Sequence, residues 1–513
     1  MAEKVIIEKN AYHDSVTLMS LSSKINSLDA VEQAVVSMAT QMNKDLLENI
    51  GLLTEEAKAA TENDLIIALK ADTAERVEEV MGIVETELTA KKTKKGKDKG
   101  YAVKTVDSAI DAMPEANIAI ISVPGKYAAR EAKKVLKKGM HVMLFSDDVS
   151  IEDERALKEM GRDSGLFVMG PDCGTAIINH AGLCFANKIS EGAIGLVAAS
   201  GTGLQEVTVQ IDRLGYGISQ AIGTGGRDLH EAVGGIMMLQ GLKALENDEK
   251  TKVITLISKP PAPSVQEDIL KEVKKCKKPV VICFLDGDKH KIEAAGAVFS
   301  PTLIDAARKS INLLDPNAVM ETEVDQDAVA WIEAEKAKLS NSQKDIRGLF
   351  CGGTLTSEAL STIRSTGKSV KSNVAKKTDE KLNELTHSIG HTLLDMGDDD
   401  FTKGKPHPMI EPTLRNERIL QEANDPNTAV LLLDFELGFG SHQDPAGVTL
   451  DAIKEAKLQA EQAGRYLPII SYICGTSKDK QDYQQQQKKL ESAGVYVADS
   501  NEMATRIATM IVQ

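Results

Sequence analysis

From residue 101 onward, apolar runs alternate with amphipathic stretches. Residues 117–123, 139–145, 165–170, 194–199, 217–222, 252–258 and 279–285 are near-continuous apolar segments, most of them closed by Gly, Pro, Ser or Asp. Between them, 126–138 and 204–214 place apolar residues at helical spacing. The pattern resumes with apolar runs at 346–350, 391–395, 429–434, 467–473 and 495–498, and with a helix over 355–364. Apolar strands separated by helices predict parallel sheets covered on both faces. The first ninety residues read differently. They hold a strand at 64–71, a helix at 73–88, strand-like content over 31–43, and a segment at 14–19 that suits either a strand or the opening of a helix.

The expected architecture is therefore α/β: several parallel-sheet, Rossmann-like or flavodoxin-like domains with a small α+β domain at the N-terminus. The expected boundaries are 1–90, 101–185, 186–315 and 346–513. The span 315–344, charged and holding the single Trp331, is expected to link two lobes. Six lysines in the ten residues 91–100 suit an anion-binding arm less well than a solvated linker.

Composition narrows the function classes. The chain has 513 residues, too many for one core, and 76 acidic against 61 basic residues give a net charge of −15. That excess argues against nucleic acid or an anionic membrane as the partner. An apolar share of 42% with 27% charged residues fits a globular chain. Six cysteines lie scattered with no CxxC, which suggests neither a zinc cage nor a disulfide framework. With no apolar leader at Met1 and no run of membrane-spanning length, the expected location is cytoplasmic.

The candidate chemistry lies in two strand–turn–helix junctions, Ser200-Gly201-Thr202-Gly203 and Cys351-Gly352-Gly353-Thr354. At a helix start several N–H groups lack partners and the macrodipole is positive, so small residues there admit a phosphate or carboxylate. Neither junction is a P-loop, because no Lys-Ser or Lys-Thr follows the glycines. Gly225 and Gly226 form a third Gly turn, beside Arg227. Lys259 ends a strand ahead of two prolines. The loop 395–408 follows a strand, and such loops bind ligands in α/β folds. Its Asp395 and Asp398 are candidates for substrate or Mg²⁺, and His407 and Arg415 for an anion. Cys351 as an activated thiol is weighed below its role as a small buried residue.

These motifs resemble the FdrA family, relatives of the succinyl-CoA synthetase (ADP-forming acyl-CoA ligase) superfamily. The likeness runs along nearly the whole chain. It is carried by the segments 14–19, 170–175, 199–203, 257–261 and 351–354, and most specifically by Asp395-Met-Gly-Asp-Asp-Asp-Phe-Thr-Lys-Gly-Lys-Pro-His-Pro-Met409. The resemblance implies that 101–315 corresponds to the latter part of the ligase α subunit and 346–513 to the C-terminal domain of its β subunit. It also implies that Ser200–Thr202 and Cys351–Gly353 open two helices which, in the ligase, point at a phosphorylated histidine. The departures are specific. Where the family carries Gly-His-Ala-Gly-Ala, this chain has Glu293-Ala294-Ala295-Gly296-Ala297, with His290 four residues early. The glutamate that steadies the ligase histidine is replaced around Ser258-Lys259. No ATP-grasp segment is found, and the Gly-rich first CoA-binding strand has no clear counterpart before Tyr101.

The resemblance implies one component of a carbamoyltransferase that links carbamoyl phosphate to oxamate in anaerobic allantoin (ureide) breakdown, working beside partner subunits. On this reading Lys259, Ser200 and Thr202 are catalytic. Gly201, Gly203, Cys351, Gly352, Gly353, Thr354, Gly225 and Gly226 hold the anion, and Asp395, Asp398, His407 and Arg415 hold the substrate. The resemblance fixes no cofactor, and CoA and Mg²⁺ are candidates. The alternatives are an acyl-CoA synthetase acting with a separate nucleotide-binding subunit, and a non-catalytic regulatory or scaffold subunit.

Overall fold

The computed structural model describes residues 2–11, 13, 15–26, 28, 30–40, 43–44, 47–48, 50–94, 105–318, 326–402 and 405–512. The chain divides into two compact units, 1–103 with 403–406, and the remainder. In the first unit, strands β1 (Ala2–Glu8), β2 (Val31–Met38) and β3 (Leu65–Ala71) form an antiparallel sheet in the order β1-β3-β2. Side chains alternate across β3. Leu65, Ile67, Leu69 and Ala71 face a core with the helices Ser15–Asn26 and Ala74–Lys94, while Ile66 and Ala68 face a smaller core with Leu52 and Ala57. The segment from Ser15 thus resolves as a helix. The helix expected at 73–88 continues through the first lysines of the 91–100 run, of which 95–100 lie outside the described residues. The charge-flanked Lys4-Val-Ile-Ile core of β1 did not stand out as a strand.

The second unit is built of three further sheets. Strands β4 (Ile118–Ile121), β5 (His141–Leu144) and β6 (Val168–Met169) are parallel. The largest sheet has seven strands in the order β13-β12-β11-β9-β10-β7-β8. Here β9 (Glu191–Ala199), β10 (Ile218–Gly223), β11 (Val253–Ser258), β12 (Val280–Phe284) and β13 (Val298–Phe299) run parallel. The hairpin of β7 (Thr175–Ile178) and β8 (Ala181–Cys184) joins this sheet through β7, which pairs antiparallel with β10. The third is a wholly parallel six-stranded sheet, β15-β16-β14-β17-β18-β19, made of β14 (Asp345–Phe350), β15 (Val370–Ser372), β16 (His391–Asp395), β17 (Thr428–Glu436), β18 (Ile469–Cys474) and β19 (Val495–Ala498). The fold is the α/β class expected, with parallel sheets and a small N-terminal α+β part. Within 315–344 a helix, Gln326–Lys336, packs Trp331 against Tyr496 of β19 with ring centroids 4.4 Å apart. No helix among the described residues is long and apolar enough to cross a membrane.

One core joins the two large sheets. Ile194 and Leu196 of β9 share it with Val430 and Leu432 of β17 and with two helices, Gly201–Arg213 and Gly353–Ser365. Residues 203–211 of the first helix are all buried. Each helix follows directly on an internal strand, β9 or β14, so the shared core brings their two starts together at the carboxyl ends of both sheets. A second buried device holds the Gly225-Gly226 turn. Lys158, with no exposed surface, donates to Glu154 (2.8 Å), to the Thr224 carbonyl (2.8 Å) and to Asp228 (2.9 Å). Asp228 in turn accepts the Met238 N–H, and Arg227 pairs with Glu154 at 2.9 Å. Lys158→Met leaves the buried Asp228 without its cation and Glu154 with Arg227 alone. It should lower the unfolding free energy of this unit by about 3–5 kcal/mol, read as a fall in the urea midpoint; an unchanged midpoint would show that the network does not support the turn.

Candidate functional site

The Ser200 and Gly352 helix starts meet. Ser200, the N-cap of its helix, accepts the Gly203 N–H at 2.9 Å, and its Oγ lies 2.6 Å from Thr354 Oγ1. Thr202 Oγ1 accepts the Thr354 N–H at 3.4 Å. A Cβ on Gly352 would sit 2.9 Å from the Thr202 methyl, so the approach of the two turns requires glycine there. Gly201, Thr202 and Gly353 are the half-buried positions of the pair, while Ser200, Gly203 and Thr354 are buried. The donors that open the two helices therefore converge on one place.

Lys259, one residue past β11, and Asp395, the last residue of β16, flank the same point. A Cβ on Gly353 would collide with Asp395 Oδ2 and lie 3.1 Å from Lys259 Nζ. Asp395 also accepts the Gly397 N–H at 3.0 Å, and Asn373 brackets its backbone. Burial, opposed chiefly by Lys259, pushes the Asp395 carboxyl up to about 7. His407 is half-buried against Phe185, with ring centroids 5.7 Å apart. Its Nδ1 accepts the Met409 N–H at 3.2 Å, which assigns the proton to Nε2. Burial, with Arg415 adding to it, pushes this imidazole down to about 4, so it is neutral at pH 7. Asp398 caps the short helix Asp399–Thr402, accepting the Asp400 N–H at 3.2 Å.

An acidic rim stands beside these groups. Asp172, at a φ of 52°, opens to solvent, yet the surrounding protein, then Asp399 and Asp147, push its carboxyl up to about 6 against Lys259 and Arg227. Solvent screening makes that push weaker than the one on Asp395. Gly225 and Gly226 lie in the turn next to it. A Cβ on Gly225 would collide with the Pro171 carbonyl, and one on Gly226 would lie 3.6 Å from Asp172 Oδ2. The sequence had shown Asp172 only as part of a motif.

Arg415 and Cys351 are placed differently from expectation. Arg415, expected to grip a substrate carboxylate, is 2% exposed and lies beneath the Gly352 turn. Its Nη1 donates to the Asp434 carbonyl at 2.6 Å and to Cys351 Sγ at 2.8 Å. The Cys351 N–H, expected to face the anion, donates to Asp434 Oδ1 at 2.7 Å, and the Gly352 N–H to Oδ2 at 3.0 Å. Burial pushes the Cys351 thiol well above its ordinary range, so it is not an activated nucleophile. Among the described residues, the group of three whose ligand atoms lie close enough to hold a metal is Cys351, Asp434 and Glu436. Arg415 already supplies a cation there, so the set suits the guanidinium better than a metal. Asp434 and Glu436 were missed. The signal was a carboxylate ending the apolar run 429–434, since a charge in a buried strand needs a partner.

Asp395 makes stability depend on pH with a definite sign. Its folded value of about 7 lies above the unfolded one of about 3.9. The native state therefore holds more protons between those values, and stability falls as pH rises through them. Against Asp395→Asn, the wild type should lose ground from about pH 4 to about pH 7 and hold a constant gap above. Urea unfolding across that range measures it, and a flat difference would place Asp395 outside the buried site.

Comparison with known proteins gives the family of the chain. Three family models match the chain: CoA-ligase over residues 349–511, CoA binding domain over 189–285, and AllF, heavy metal-associated domain over 1–104. A protein of Escherichia coli (strain K12), described as uncharacterized protein YahF, is 47% identical over 503 residues, covering 98% of this chain and 97% of its own. A succinate–CoA ligase [ADP-forming] subunit alpha 1 of Archaeoglobus fulgidus is 27% identical over 230 residues, 43% of this chain and 77% of its own. The ATP citrate lyase of Methanothrix soehngenii, solved with citrate and coenzyme A, matches 45% of this chain and 46% of its own at 18% identity and a TM-score of 0.35. The chain belongs to the family of YahF, an FdrA-like group within the succinyl-CoA synthetase-like superfamily.

Proposed function

We propose that the chain is the FdrA-type subunit of a carbamoyltransferase that interconverts carbamoyl phosphate and oxamate with N-carbamoyl oxamate and phosphate, in ureide catabolism. The observation that carries the reading is the meeting of two helix starts beside Lys259 and Asp395, with no histidine where the ligase family keeps its phosphorylated one. Ala294 holds that position, and His290 is exposed on the short helix Lys289–Ala294. A site that keeps its anion cradle but lacks the phosphoryl carrier suits a ready-made acyl phosphate.

In the catabolic direction a phosphate oxygen attacks the carbamoyl carbon. The C–N bond breaks with its electron pair on the oxamate nitrogen, which takes up a proton, leaving carbamoyl phosphate and oxamate. Phosphate sits on the N–H groups of Gly201, Thr202 and Gly353. Ser200 and Thr202 hold the two helix starts in register. Lys259 offsets charge developing on the transferred group. Asp395, near neutrality beside Lys259, is the proton donor, and the neutral His407 offers Nε2–H to the oxamate carboxylate. Asp398 fixes the loop. Partner subunits complete the enzyme.

A second reading, an acyl-CoA synthetase working with a separate nucleotide-binding subunit, is favoured by the CoA-ligase and CoA-binding models that match 349–511 and 189–285. It would bring CoA to this chain, and Mg²⁺ with the nucleotide. Calorimetric titration with carbamoyl phosphate, ATP and CoA separates the two readings. Saturable uptake of carbamoyl phosphate is expected; uptake of CoA or ATP with no response to carbamoyl phosphate returns the chain to ligase chemistry. In the assembled enzyme Lys259→Ala should lower turnover by about 10²–10³ with an unchanged urea midpoint; full turnover would remove the lysine from the site.

A further inference from the structure

Directly beneath the start of the Gly352 helix lies a set of buried charges that no step of the transfer uses. Asp434 is fully buried, and its two carboxylate oxygens take the N–H groups of Cys351 and Gly352. This fixes the last two residues before the helix and leaves Gly353 as its first outward donor, since the Thr354 N–H is taken by Thr202 Oγ1. It also puts a negative charge next to the turn that is to receive an anion, and in a low-dielectric interior such a charge works strongly against binding.

Arg415 is the compensating group. Its Nη1 lies 2.6 Å from the Asp434 carbonyl oxygen, 3.3 Å from Oδ1 and 2.8 Å from Cys351 Sγ. The guanidinium stacks 4.9 Å from the Phe435 ring. Glu436 is buried on the same strand, and burial and then Asp434 push its carboxyl well above its ordinary range. Cys351, Arg415, Phe435, Glu436 and His442 line a small cavity beside the group.

We propose that Arg415 and Asp434 form a buried, mutually neutralising pair that positions Gly353 for a phosphate-bearing ligand and keeps the positive end of that helix available to it. This rests on the reading that the helix starts take phosphate. Both residues are positioning residues and neither touches the ligand.

A charge cycle tests it, with inorganic phosphate as the probe in calorimetric titrations of the full chain. Arg415→Met leaves Asp434 uncompensated and should weaken phosphate binding about tenfold or more. Adding Asp434→Asn removes the opposing charge and should bring binding back to within about threefold of wild type, a coupling expected only of neighbours that share one interaction. If Arg415→Met does not fold, Arg415→Lys keeps the charge without the fork and should bind phosphate within about threefold of wild type. Additive losses in the double variant, wild-type binding by Arg415→Met, or lost binding in a folded Arg415→Lys protein would each overturn the pair's role. Wild type that takes up no phosphate would instead bring down the helix-start reading itself, and this inference with it.

Discussion

A helix cannot leave its first N–H groups unpaired inside a protein, and the second unit buries two helix starts against one another. That constraint organises the region. The core shared by the two large sheets presses the Ser200 and Gly352 helices together, so their opening donors must be answered locally. Ser200 answers the Gly203 N–H, Thr202 the Thr354 N–H, and Asp434 the N–H groups of Cys351 and Gly352. The remaining donors, at Gly201, Thr202 and Gly353, belong to the residues of the pair that keep some exposure. The anion cradle is what is left once burial has been satisfied.

The charges around it follow from the same burial. Asp395 is held near neutrality and His407 is kept uncharged, both by desolvation first. Lys259 is placed against Gly353 and Asp395. Around pH 7 the site therefore offers a cation, a carboxyl able to hold or release a proton, and a neutral ring donor. The exposed acids Asp147 and Asp399 stand further out and raise Asp172. A free anion approaching from that side meets repulsion unless Arg227 and Lys259 screen it, which favours entry along the lysine side.

What the sequence made legible was local. A strand, a turn of small residues and a helix are contiguous, so both junctions could be found from the pattern, and Lys259 and Asp395 were marked by their places at strand ends. Non-local partners were not legible. Arg415 looked like a surface cation in a polar segment because Asp434, nineteen residues on, was read only as the end of an apolar run. Lys158 sat in a charged helix with no sign that Asp228, seventy residues away, would neutralise it. In the fold, β1 and the β7–β8 hairpin escaped notice because their apolar cores are short and broken by charge or glycine. The helix from Ser15 was ambiguous because Ser, Thr and Val suit either state.

The model that matches residues 1–104 is named for a heavy metal-associated domain, yet the first cysteine of the chain is Cys173. Soft metals are held by thiolates and thioethers, and of these the first unit has only the thioethers of its methionines. What the unit does retain is a sheet with an apolar core on each face, Leu65, Ile67 and Leu69 on one side and Ile66 and Ala68 on the other. Burial of those side chains stabilises the sheet from both faces.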